Sequence, residues 1–101
     1  GKRAEMGSVA NKLADEIIIT SDNPRSENPK KIMMDIATDI RKPFKMIEDR
    51  GQAIRMAIHN MNEESILLIA GKGHEQYQEI EGNKIPFSDR DIALKTLKNN
   101  D

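Results

Sequence analysis

The chain has 101 residues, 37% hydrophobic and 33% charged, which fits one domain with a modest core and excludes a disordered chain. Its 16 basic and 17 acidic residues give a net charge of -1, so there is no electrostatic case for nucleic acid or an anionic membrane as partner. Cysteine is absent, which excludes disulfides and thiolate catalysis and fits a cytoplasmic location.

The chain begins with Met6, Val9, Ala10 and Leu13 at helical spacing, which predicts an amphipathic helix over 5–14. The β-branched run Glu16 to Thr20 suits a strand covered on both faces, as in a parallel sheet. The segment DNPRSENP, Asp22 to Pro29, follows. Asn28 is placed to cap a helix and Pro29 to occupy its first position, where a missing N–H costs nothing. Ile32, Met33, Ile36 and Ile40 line one face of that helix, which should stop before Pro43. Phe44 to Glu48 reads as a second strand.

Asp49 and Gln52 have capping-box spacing, and Ile54, Ala57, Ile58 and Met61 form a stripe, so a helix is expected over 50–61. Ser65 to Ala70 is the best strand pattern in the chain and ends in GKGHE, Gly71 to Glu75. Tyr77 to Ile80 and Lys84 to Phe87 predict a hairpin with its tight turn at Gly82-Asn83. Ser88 and Asp91 cap a last helix carried by Ile92, Ala93, Leu94 and Leu97. The longest apolar runs, Ile17 to Ile19 and Ile66 to Ala70, are far too short to span a bilayer. No apolar signal-peptide core is present at the start. The alternation of helix and strand predicts an α/β fold: a parallel sheet with packed helices, closed at one edge by an antiparallel hairpin.

Ligands in such sheets bind beyond the carboxyl ends of the strands. Two loops leave strands there, Asp22 to Arg25 and Gly71 to Glu75. The glycines around Lys72 would let backbone N–H groups approach an anion, yet a Walker loop fails on spacing, because Ile66 and Gly73 stand where Gly and Ser or Thr are needed. A flexible strand exit and a ligand loop both remain open readings. His74 has no nucleophile or metal-ligand partner at motif spacing, and a zinc site is not expected. Glu75 is a carboxylate able to accept hydrogen bonds from an ammonium group. Asp22, Asn23 and Pro24 are ordinary turn formers. Arg25 is not required by a turn: its planar fork suits a carboxylate or phosphate, the alternative being a surface ion pair. Arg25 and Glu75 together suit the two ends of a zwitterion.

Short motifs recur in a familiar order: Lys2-Arg3, Met6-Gly7, Leu13 to Asp15, Thr20 to Arg25, Ala70 to Glu75, Tyr77-Gln78 and Pro86 to Arg90. On these residues the chain resembles, over essentially its whole length, the C-terminal domain of the Mur ligases of the meso-diaminopimelate-adding type. The resemblance implies a Rossmann-like, mostly parallel sheet with flanking helices and a C-terminal antiparallel hairpin. It implies an ATP-dependent amide-bond ligase of peptidoglycan synthesis. In that reaction a carboxylate of UDP-N-acetylmuramoyl-L-alanyl-D-glutamate is phosphorylated by ATP with Mg2+, and the incoming amine displaces phosphate. This domain would deliver the amino acid and close over ATP held mainly by a central domain.

Carried over by motif, Asn23 and Arg25 would bind the distal carboxylate of meso-diaminopimelate. The backbone of Gly71 and the carboxylate of Glu75 would bind its distal amino end. Asp22, Pro24, Lys72, Gly73 and His74 are their motif neighbours, and Lys2 and Arg3 would lie toward ATP. No catalytic residue and no metal ligand is expected in this chain. Lysine-adding relatives lack the arginine of the first motif, so Arg25 argues for diaminopimelate; meso-lanthionine presents the same two ends. The family places two strands, a helix and a Gly-rich Asp-Arg-Asp loop before the Lys-Arg pair, where this chain starts. Residues 1–101 are therefore expected to be a C-terminal amino-acid-binding domain without its N-terminal strands, inactive alone. The rival reading is a stand-alone α/β module that binds a small ligand or regulates without catalysis.

Overall fold

The computed structural model describes residues 2–22, 27–70 and 77–99. The order of elements is α1 (Lys2–Leu13), β1 (Ile18–Thr20), α2 (Pro29–Ala37), β2 (Lys45–Ile47), α3 (Arg50–His59), β3 (Tyr77–Ile80), β4 (Asn83–Pro86) and α4 (Asp89–Asn99). Strands β1 and β2 pair in parallel, with Ile18 opposite Lys45, Ile19 opposite Met46 and Thr20 opposite Ile47. The α/β class, the parallel pairing, the helices and the C-terminal hairpin all follow the sequence reading.

Local chemistry starts two helices as expected. The Asn28 side-chain oxygen accepts from the Lys30 N–H at 2.9 Å, with Pro29 at the first helical position. Asp49 accepts from the Gln52 N–H at 3.0 Å in front of α3. Helix α2 ends at Ala37, well before Pro43, but Ile40 still enters the core. Ile19, Met33 and Ile40 are buried together, with Ile17, Ile36 and Ala37 packed against them. Burying each such side chain contributes about 1.5–3 kcal/mol. On the other flank, α3 buries Ala53, Ile54 and Ile58 and packs on α4.

Four local expectations need correction. Met6, Val9 and Leu13 were expected to be the buried stripe of α1, but they are 46%, 55% and 79% exposed. The helix packs instead through its small residues. Gly7 is buried, and a Cβ there would lie 1.9 Å from the Ile36 carbonyl oxygen, so the backbones of α1 and α2 meet where no side chain fits. In α4 the buried residues are Asp89 and Thr96; the Thr96 hydroxyl donates to the Ile92 carbonyl at 2.7 Å, while Leu94 and Leu97 are 44% and 51% exposed.

The hairpin turn falls at Glu81-Gly82, not Gly82-Asn83, because Ile80 pairs with Asn83. Both turn residues have positive φ, 50° and 81°, as the twist-matched two-residue turn requires. The hairpin forms its own sheet rather than closing the edge of β1–β2. That follows from the last correction: residues 65–70, expected as a strand, enter no ladder. A strand exists only with a paired neighbour. Here Ile66 and Leu68 lie 96% and 84% exposed, and Leu67 to Ala70 share an open apolar groove with Ile17 to Thr20.

The close helix contact gives a direct test. Gly7→Ala should destabilise the fold by about 2 kcal/mol, by forcing α1 from α2. Urea unfolding should show a lower midpoint with unchanged slope, and an unmoved midpoint would refute the contact. Asn28→Ala should cost about 1 kcal/mol in the same assay, from loss of the cap alone.

Candidate functional site

Of the residues singled out by sequence, Asn23, Pro24 and Arg25 on the first loop, and Gly71, Lys72, Gly73, His74 and Glu75 on the second, lie outside the described residues. Asp22, half-buried, is described. What the structure does show is where the two loops depart. Strand β1 delivers the chain to Ser21 and Asp22, and the apolar run delivers it to Ala70. Both departures lie beyond the carboxyl end of β1 and meet at one side chain, Arg50.

Arg50 is the first residue of α3 and is only 3% exposed. Its Nε donates to Asp89 Oδ1 and its Nη2 to Asp89 Oδ2, each at 2.7 Å. The fork is therefore bidentate, the strongest form of charge-assisted pair. The same Nη2 donates to the Ala70 carbonyl at 3.1 Å, and Nη1 makes a longer contact of 3.4 Å to the Ser21 carbonyl. One guanidinium thus spans the last described carbonyl before GKGHE and the carbonyl before Asp22. A further tie comes from β3, where Gln78 Nε2 donates to the Asp22 carbonyl at 2.6 Å.

The local reasons for this arrangement are electrostatic. Helices α3 and α4 both begin here, and their N-terminal ends carry partial positive charge. Arg50 adds a full positive charge to that end, which is unfavourable without a counter-ion. Asp89, at the start of α4, is the counter-ion and is itself favoured at a helix N-terminus. Ser88 caps α4 by accepting from the Asp91 N–H at 3.2 Å, which fixes the direction from which Asp89 approaches.

At the far end of the first loop, Arg3 on α1 donates to both carboxylate oxygens of Glu27, at 3.0 and 3.2 Å, and to Asp35 at 3.1 Å. Its hydrogen bonds hold the Glu27 carboxyl below its usual range, and Glu27 and Asp35 raise Arg3 further. This network is exposed and therefore screened by salt. Through it Arg3 joins α1 to Glu27 and to Asp35 on α2. Among the described residues no three side chains suited to a metal ion lie together. Among the described residues, no helix is long and apolar enough to cross a membrane.

Sequence reasoning missed Arg50, and it named Tyr77-Gln78 and Pro86 to Arg90 as family motifs without giving Gln78 or Asp89 a role. One signal was present. An arginine at the first position of a helix, directly after a capping aspartate, opposes the helix dipole and calls for a buried partner.

Comparison with known proteins identifies clear relatives. Residues 1–73 match the family model described as Mur ligase, glutamate ligase domain. The chain is 50% identical over 99 residues to a protein of Caldanaerobacter subterraneus subsp. tengcongensis named UDP-N-acetylmuramoyl-L-alanyl-D-glutamate--2,6-diaminopimelate ligase, covering 95% of this chain and 20% of that protein. It is 48% identical to the protein of the same name from Rickettsia rickettsii, over 96% of this chain and 20% of the relative. A solved structure titled as the same ligase superposes with a TM-score of 0.91 at 37% identity, covering 99% of this chain and 21% of that one. The chain thus spans about a fifth of the length of these relatives. With half its residues shared with such ligases and its fold superposing on one of them, the chain belongs to the Mur ligase family.

Proposed function

We propose that residues 1–101 form the amino-acid-binding domain of an ATP-dependent ligase. The whole enzyme adds meso-diaminopimelate to UDP-N-acetylmuramoyl-L-alanyl-D-glutamate in the cytoplasm, for peptidoglycan synthesis. The observation that carries the reading is the meeting of two loop departures, Ser21 and Ala70, on the Arg50 guanidinium. Loops that start side by side can present Arg25 and Glu75 to the two charged groups of one amino-acid end. The names of the relatives supply the substrate class.

On this reading Asn23 and Arg25 take the distal carboxylate, and Gly71 and Glu75 take the distal amino group. Diaminopimelate is lysine with one more carboxylate on its side chain. An arginine fork aimed at that carboxylate rewards the longer substrate, and lysine leaves the fork unpaired. Binding the distal end leaves the other amine free to react. On this reading ATP and Mg2+ are held mainly by a central domain of the whole enzyme.

In the full-length protein, Arg25→Ala should lower kcat/KM for diaminopimelate by roughly a hundredfold or more and abolish the preference over lysine. Steady-state ligation with each amino acid measures this, and equal use of both by the wild type would refute the assignment. The 101-residue chain alone should form no amide product and bind diaminopimelate weakly at most by calorimetry. Tight binding without any other domain would favour a stand-alone binding module.

A further inference from the structure

We propose that Arg50 is a positioning residue that sets the spacing between the two ligand loops, with Gln78 as a second tie. The proposal rests on the reading of those loops as the amino-acid site. It concerns atoms outside the loops themselves: the carbonyls of Ser21, Asp22 and Ala70.

The geometry has three parts. First, the Arg50 head is immobilised before it meets either loop, because Asp89 holds it through two bonds of 2.7 Å in a buried setting. Second, the remaining N–H donors face backbone carbonyls at the two loop departures. Carbonyl contacts fix main-chain position whatever side chains the loops carry. Third, Gln78 on β3, which continues from the second loop, donates back to Asp22 at the start of the first. The first loop is therefore tied at its base to the strand that follows the second, and the bases of both loops share Arg50.

Only arginine fits this role. Its planar fork presents five donors in fixed directions, so two can hold a carboxylate while others reach different carbonyls. A lysine ammonium is a single point with three donors. It can neutralise Asp89 but cannot also span Ser21 and Ala70. This separates charge balance, which lysine retains, from spacing, which it loses. A small displacement of groups that orient a substrate is enough for a large loss of rate.

The test uses the full-length enzyme with Arg50→Lys, and Gln78→Met as a milder variant that keeps volume and removes the donor. Arg50→Lys should raise KM for diaminopimelate roughly tenfold to a hundredfold. KM for ATP and for the UDP-linked acceptor should stay within about twofold. Gln78→Met should raise KM for diaminopimelate several-fold with unchanged Tm. Amide exchange of peptides covering 21–28 and 69–77 should quicken in both variants, while peptides from α1 and α2 stay protected. Two results would overturn the proposal: all three KM values rising together with a fall in Tm, which is loss of fold alone, or unchanged loop exchange with unchanged KM for diaminopimelate. If Arg50→Lys does not fold, Gln78→Met decides on the same criteria. Failure of the substrate reading is seen separately, in wild type that uses diaminopimelate no better than lysine; the exchange measurement still decides whether Arg50 ties the loops.

Discussion

The buried pair of Arg50 and Asp89 is the constraint around which this domain is arranged. Removing one partner from such a pair leaves an uncompensated buried charge and typically costs about 3–5 kcal/mol. An apolar pair of similar volume would often be no less stable. Stability therefore does not explain why a guanidinium stands here. Its further hydrogen bonds do, because they reach backbone on both sides of the site. Helix α3 supplies the arginine, α4 the aspartate, β1 one loop and the apolar run the other. Four segments distant in sequence converge on a few polar atoms.

Around this point the fold uses simple means. A short parallel pair, β1 and β2, sets the direction in which the chain leaves toward the site. Helix α2 supports it from one side through Met33 and Ile36, and α3 from the other through Ala53 and Ile54. Helix α1 reaches α2 at Gly7 without an intervening side chain, which brings Arg3 close enough to Glu27 and Asp35 to anchor the far end of the first loop. That anchor is exposed and screened, whereas the Arg50 end is buried, so the two ends of the loop are held with unequal strength.

Local chemistry in the sequence was readable and distant pairing was not. Asn28 with Pro29, and Asp49 with Gln52, identify helix starts because each signal acts within one turn of backbone. The stripe of Met6, Val9 and Leu13 misled because periodicity weights large apolar residues, whereas close approach of two helices selects small ones such as Gly7. Ser65 to Ala70 has the composition of a strand, but strand formation depends on a neighbour that the run itself does not specify. The loop motifs pointed to the carboxyl end of β1, where the Ser21 and Ala70 carbonyls meet Arg50. Arg50 and Asp89, separated by 39 positions, gave no joint signal, and only the fold brings them together.

The most direct measurement of the central claim is a structure of the full-length enzyme bound to meso-diaminopimelate. It should show one end of a single ligand between Arg25 and Glu75, the carboxylate on the arginine fork and the amino group on the glutamate. Arg50 should donate at the same time to the carbonyls of Ser21 and Ala70. A ligand that touches only one of the two loops, or loops that embrace it while Arg50 contacts neither carbonyl, would contradict the account.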